Sequence, residues 1–432
     1  MTKPIVCLVI FVSLLSYAIT TVAEDRPVQR TVTEKRLVQI DFASLIPALF
    51  AVSPDSQRVA YGARAEQKQV VIVDGKQGKA YQAILSGMLR FSPDSKRLAY
   101  GVQQDRQSFL VVDDKASKPY AGLGAGTLHF SPDSQRVAYA VVTDNRMRVV
   151  VDNTEHPPYT AIVPDTLTFS PNGQRLAYGA AVGTQMFVVL DGQEGQRYDA
   201  LTADSVRFSP DSQRIAYGAR QGRQWSVILD GQPGKPYDGI GEGSLVFSPN
   251  GQRLAYVARV GKQQVVVVDG QASKPYKGVA VGSLVFSADS QHVAYGANDE
   301  EEDTWFVVLD GQAGKPYEAW VTGPVFSPDS QRLAYAVAVD EAKQIVVLEG
   351  RESKAYNGIK TDLLAFSPDS RHLAYGAQGD KGWYVVLDGQ EGKPYENLFI
   401  LGGGKIVFDA SDRFHYLATR GPDIYVIQEQ FK

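Results

Sequence analysis

The sequence predicts an all-β chain folded as a β-propeller of four-stranded antiparallel blades, and three observations carry that expectation. One near-copy unit recurs about every 39 residues over almost the whole chain. Each unit divides into four short runs rich in β-branched and aromatic residues. Between the runs stand Pro, Gly, Asn and Asp, the residues that close tight turns. Composition agrees, since 44% apolar and 21% charged residues with 40 Gly and 22 Pro in 432 describe a foldable chain of strands and turns. Against 44 basic residues there are 48 acidic ones, a net charge of −4. No basic face of the kind that tracks phosphates is implied, so nucleic acid is not an expected partner.

Residues 1–23 read as a secretory signal. Lys3 precedes an apolar run over residues 5–18, and Thr21-Val22-Ala23 offers small residues where a signal peptidase cuts. An uncleaved anchor is the alternative, although the run is short for a membrane span. Cys7 is the only cysteine and lies inside this segment, so the exported chain holds no disulfide. The expectation is a periplasmic or secreted monomer with no membrane span after cleavage. Residues 24–36 read as an extension, and 37–432 as one propeller domain of ten units.

The Tyr of a recurring Leu-Ala-Tyr triplet marks the register. Tyr61, Tyr100, Tyr139, Tyr178, Tyr217, Tyr256 and Tyr295 are 39 apart, and Tyr335, Tyr375 and Tyr416 follow at 40, 40 and 41. Within one unit, residues 206–209 read as strand a and 214–218 as strand b. Residues 225–230 read as strand c, and 236–240 as strand d. The a–b turn is Pro-Asp-Ser-Gln, or Pro-Asn-Gly at residues 171–173 and 249–251, where Gly supplies a positive φ at no cost. Strand c is apolar at successive positions, such as residues 265–268, which predicts burial on both faces. Strand d opens on Pro119, Pro158, Pro236, Pro275, Pro316 or Pro394, which places it at the outer edge, because proline cannot donate to a ladder.

The last unit supplies a, b and c (residues 406–408, 414–418 and 424–427) and then ends. Residues 36–42 stand before the first strand a at the usual distance from a d strand. The N-terminal strand is therefore expected to close the ring as the outer strand of the last blade. Ten repeats with one closure give ten blades; an open arc or two five-bladed rings also satisfy the count, and even spacing disfavours the second.

The Phe-Ser-Pro-Asp-Ser-x-Arg-Leu-Ala-Tyr core resembles the WD-like propeller repeat of TolB-type periplasmic proteins and of the propellers of prolyl-oligopeptidase-type enzymes, over residues 37–428. The resemblance implies the ring and an envelope location. It implies no catalytic residue, since the G-x-S-x-G elbow of the peptidases, the WD signature, kelch glycine pairs and the sialidase Asp box are all missing.

Chemistry-bearing residues are few. His292 and His372 take a column that is Arg elsewhere (Arg136, Arg175), so they read as substitutions within a structural column and not as metal ligands. His129 reads as a packed side chain. Aspartates end strand c (Asp74, Asp113, Asp152, Asp191, Asp230, Asp269, Asp310, Asp388, with Glu349 in the eighth unit). One per blade before a Gly, they read as turn caps and not as paired acid–base carboxylates. The run Asp299, Glu300, Glu301, Glu302, Asp303 has the oxygens a Ca²⁺ ion would take, and a solvated loop is the plainer reading. No cofactor is implied.

Parity separates two faces. The a–b and c–d turns share one face and are near copies across the repeats. The b–c and d–a segments share the other and vary freely. Loops on a rigid scaffold carry function, so the variable face is the expected binding face. Trp320, Phe399, Arg146, Arg148 and Arg223 are its candidate anchors, since aromatics and Arg dominate hot spots. The expected function is a non-enzymatic scaffold binding a protein, or another macromolecule, in the cell envelope or outside the cell. A propeller enzyme acting on a glycan or peptide at the central channel is the alternative.

Overall fold

The computed structural model describes residues 29–299 and 303–432. Among them the strands pair into ten antiparallel sheets, arranged as a ten-bladed propeller. Blade 5 shows the pattern. Its inner strand a comes in two pieces, Ala200–Leu201 and Arg207–Phe208. Strand b is Ile215–Gln221 and strand c is Gln224–Leu229. Strand d starts at Gln232–Pro233 and pairs again at Tyr237, which bridges Trp225.

Two boundaries differ from the sequence expectation. Strand d ends at Tyr237, and Gly239–Ile240 already belongs to blade 6, paired with Arg259 and Ala258. Pro236 therefore sits within strand d, in the gap between its two contacts with strand c, where a missing N–H costs no ladder bond. Periodicity marks apolar runs but not the residue at which the chain leaves one sheet for the next. Strand a is accordingly longer than expected and carries a mid-strand bulge. In blade 6 that bulge is residues 241–244, with Gly243 at φ 64°.

Turn chemistry explains why the two-residue c–d hairpins repeat. Asp230 and Gly231 have φ of 51° and 81°, the left-handed pair that a tight hairpin needs. Asp230 is also a cap, its carboxylate accepting from the Ile215 amide at 2.9 Å and from Arg214 Nε at 2.9 Å. In the a–b turn Ser209 Oγ accepts from the Arg214 amide, and Ser212 takes φ 64°. The second serine latches neighbouring blades: Ser134 Oγ accepts from the Asp94 amide at 2.9 Å, and Ser370 Oγ from that of Asp329 at 2.9 Å. Where Gly173 and Gly251 replace that serine, the carboxylates of Asp133 and Asp211 fill the space its side chain would occupy.

The buried apolar side chains fall into ten clusters, each at a junction between neighbouring blades. Ten junctions for ten blades means a closed ring. Strand c is buried at successive residues as expected, with Val265, Val266 and Val267 all at 5% exposure or less.

A repeated arginine staples seven of the ten junctions. Arg253 Nε pairs with Asp269 at 2.8 Å, while Nη1 donates to the carbonyls of Ser290 and Gln291 in the next blade at 3.1 and 2.7 Å. Its guanidinium also lies 5.2 Å from the ring centre of Phe286. His292 and His372 keep the aspartate, each at 2.6 Å, but neither ring hydrogen-bonds across to a described residue of the next blade. Arg253→Ala should destabilise by about 2 kcal/mol, the sum of charge-assisted bonds and a partly exposed cation–π contact. Arg253→His should cost less than half of that. Chemical denaturation checks this, and equal losses for the two variants would mean the cross-blade bonds contribute nothing.

The ring closes at the N-terminus. Arg30–Gln39 pairs antiparallel with the whole of Asp423–Phe431, as the outer strand of blade 10. It begins six residues before the expected residue 36, so the extension expected over 24–36 is strand from Arg30 onward. An ion pair at 3.2 Å joins Arg30 to the fully buried Glu429, which also accepts from Tyr416 at 2.7 Å. Arg30 further donates to the carbonyls of Val385, Leu387 and Gln390 in blade 9. Buried His415 contacts the Asp55 carbonyl of blade 1 across the seam at 2.6 Å and Asp409 of its own blade at 3.0 Å.

Candidate functional site

The first strands of neighbouring blades approach one another, so strand a lines the central opening. The c–d and a–b turns lie together on one face, and the b–c turns with the d–a crossovers on the other. A crossover residue often caps the next blade's b–c turn: Asp199 accepts from the Gly222 amide and Asp238 from that of Gly261, both at 2.7 Å.

Arg146 and Arg223 stand exposed at b–c turns of blades 3 and 5, as the sequence suggested. Arg148 does not stand free. Its guanidinium pairs with Glu155 at 2.9 Å, and Lys118 holds the same carboxylate at 2.7 Å. Trp320 and Phe399 are not loop tips. Trp320 lies in strand a of blade 8 opposite Val337, in the register position of Ile240 and Leu201. Its ring packs on Tyr335 and Trp305 and covers Gly296, where a Cβ would stand 2.7 Å from it. Phe399 packs on Phe50 across the seam between blades 10 and 1, ring centres 5.0 Å apart. The sequence expectation misplaces both, because the crossover precedes them. Of the acidic run, Glu300, Glu301 and Glu302 lie outside the described residues. Asp303 pairs with Lys277 at 2.5 Å, and the described residues hold no cluster of three or more metal-ligating side chains.

Sequence reasoning missed three features. The first is apolar exposure. Phe42, Val182, Val260, Val281 and Leu401 are exposed, Val281 at 96%. The first lies at a crossover, the next two beside b–c turns, and the last two on inner-strand bulges that turn away from strand b into the opening. Among the described residues, Leu309 is the one large exposed apolar side chain on the templated face.

The second is one register position of strand a. It holds Arg90, His129, Thr168 and Arg207 in blades 2–5, then Val246, Val285 and Val325 in blades 6–8, each opposite a strand b alanine. The inner wall is thus polar on one side and apolar on the other. Burial, reinforced by Arg90, pushes His129 down to about 4, so its ring is neutral at pH 7. Nδ1 then accepts from Arg90 at 3.4 Å, and the buried Nε2 has no partner among the described residues.

The third is a cavity of about 420 Å³ between blades 5 and 6 on the variable face, walled by Trp225, Arg259, Glu242 and Gln264. Grooves of 610 and 550 Å³ open on the templated face, at the 4/5 and 5/6 junctions. Both have the same parts, an Arg–Asp pair over a floor of strand c aliphatics and the next Tyr. They follow from blade packing at any junction and carry no individual chemistry.

No protein-family model matches the chain, and no curated protein sequence does. Solved structures do. The chain is similar to a eukaryotic initiation factor at 15% identity and a TM-score of 0.44, covering 78% of this chain and 98% of that one. TolB from Acinetobacter baumannii is similar at 19% identity and 0.30, covering 51% and 63%, so the match spans under two thirds of TolB. The Dos1 propeller is similar at 13% identity and 0.37, covering 70% and 92%. These likenesses concern the fold alone.

Proposed function

We propose that the chain is an exported, non-enzymatic propeller that docks a macromolecular partner on its variable face. One observation carries the reading: among the described residues, five of the six large exposed apolar side chains lie on that face or on the bulges at the opening it surrounds. Single exposed apolar residues are ordinary; that they gather on one face, though on separate blades, supports that face as the docking side. The charges agree. On the templated face the staple arginines are paired with carboxylates, whereas exposed Arg146 and Arg223 on the variable face form no ion pair with a described residue.

The test is capture of envelope material by the wild-type protein and by two variants. Phe42→Ser with Val281→Ser should weaken capture at least tenfold, about 1.4 kcal/mol, with the melting temperature nearly unchanged, as surface substitutions allow. Leu309→Ser on the opposite face should leave capture intact. Loss on Leu309→Ser with the double variant unaffected would show that the templated face is the docking face.

A further inference from the structure

The cavity between blades 5 and 6 lies within the proposed docking face, and a ligand assigned to it rests on that reading. Its wall combines an indole, Trp225, with a cation, Arg259, an exposed carboxylate, Glu242, and Gln264, whose Oε1 accepts from the Val279 amide of blade 7 at 2.6 Å and whose Nε2 can donate. Gly239 and Gly241 keep the floor open. Arg259 donates to the Asp238 carbonyl at 2.9 Å, and neither it nor Glu242 forms an ion pair with a described residue. The two opposite charges thus share a cavity without neutralising each other. Arg220 lies over Trp225 at 5.5 Å from its ring centre.

One buried polar atom of the wall lacks a partner among the described residues, Thr202 Oγ1, and so does Arg220 Nε, which lies outside the lining against Trp225. Such groups cost free energy unless something satisfies them. Arg220, Arg223, Arg259 and Lys262 flank the cavity, against the one wall carboxylate of Glu242. Arg223 and Lys262 stand at the b–c turns of blades 5 and 6, and among the described residues no carboxylate lies within 4.0 Å of Arg220, Arg223, Arg259 or Lys262. Asp199 and Asp238, at the crossovers beside these turns, are bound to the turn amides of Gly222 and Gly261.

An occupant must therefore bring an anion for the arginines, hydroxyl or similar donors for Glu242, and an apolar face for the indole. A carboxylate side chain of a peptide supplies only the first of these. We propose that this cavity binds a uronic-acid residue of an acidic glycan, with its carboxylate toward Arg259, its hydroxyls toward Glu242 and Gln264, and its C–H face on Trp225. A cavity of about 420 Å³ suits one or two sugar rings and lies within the size range of ligand sites.

The probe is a mannuronate tetrasaccharide, titrated calorimetrically into the full exported chain at low and at physiological salt. Binding is expected, weaker at the higher salt, and at least tenfold weaker in Arg259→Gln and in Trp225→Ala. Because Trp225 also touches the core, Trp225→Phe serves as a second variant that keeps a ring and should retain most of the affinity. A neutral cello-tetraose should bind at least tenfold more weakly than the uronate. No uronate binding, or binding untouched by Arg259→Gln, overturns the inference. Equal binding of a tetraglutamate replaces the glycan by an acidic peptide and overturns it too. The docking reading is judged separately, since capture that still depends on Phe42 and Val281 survives a failed uronate titration.

Discussion

A chain that begins at Asp41 should melt at least about 5 °C below one that begins at Glu24, and should self-associate where the longer chain stays monomeric. Removing the first strand strips blade 10 of its outer strand and leaves Asp423–Phe431 as an unpaired edge, which templates pairing with another molecule. It also leaves Glu429 buried with only Tyr416 for a partner. Breaking a buried ion pair from one side costs about 3–5 kcal/mol, and each kcal/mol shifts the midpoint of a chain this large by roughly 2 °C. Arg30→Ala should reproduce much of the loss without exposing an edge. If the shortened chain melts with the longer one, the ring is not closed by this strand.

Acid should open the same seam. Burial alone would raise the Glu34 carboxyl, but hydrogen bonds from Arg420, Tyr395 and Lys393 outweigh it and hold the group down at about 2. A depressed carboxyl adds stability above its unfolded value near 4.5, and that contribution is lost as pH falls towards 2. Glu34→Gln should therefore flatten the acid limb of a melting-temperature profile between pH 4.5 and 2. An unchanged acid limb would show that other carboxylates govern it.

The ring, its ten blades and the closing strand were legible because each depends on pattern: a 39-residue repeat, four runs per unit, and a last unit short of one strand. The aspartate caps and the histidines in the arginine column were legible for the same reason, since a residue repeated at fixed register has a repeated structural task. What the pattern could not show was where the chain steps between sheets. Tyr237 and Ile240 belong to one apolar run, yet they lie in different blades, and that offset of a few residues moved Trp320 and Phe399 from packed strands into supposed loops. The cavity beside Trp225 was illegible for another reason. Its walls come from residues 201–225 and 239–264, and no linear motif joins Trp225, Glu242 and Arg259. One signal was available: blades 5 and 6 place Arg220, Arg223, Arg259 and Lys262 at their b–c ends with no acid among them, next to the acidic run of blade 7.

Trp320→Ala should destabilise the protein by about 3 kcal/mol, the low end of the range for truncating a packed Trp, because this ring is only partly covered. The ring fills the hollow above Gly296 and stacks on Tyr335 at an interplanar angle of 9°. Its removal opens the junction between blades 7 and 8, where Ala294, Val307 and Val337 would face a void. Trp320→Leu separates packing from recognition. The same register position holds Leu201 in blade 5 and Ile240 in blade 6, so an aliphatic side chain belongs there and should cost under about 1.5 kcal/mol. A binding anchor would behave otherwise, since Leu cannot replace an indole against a partner, and both variants would then lose capture while melting normally. Thermal melts and capture measured on the same two proteins decide between these outcomes. A normal melt for Trp320→Ala with capture abolished would return Trp320 to the docking face and remove it from the core.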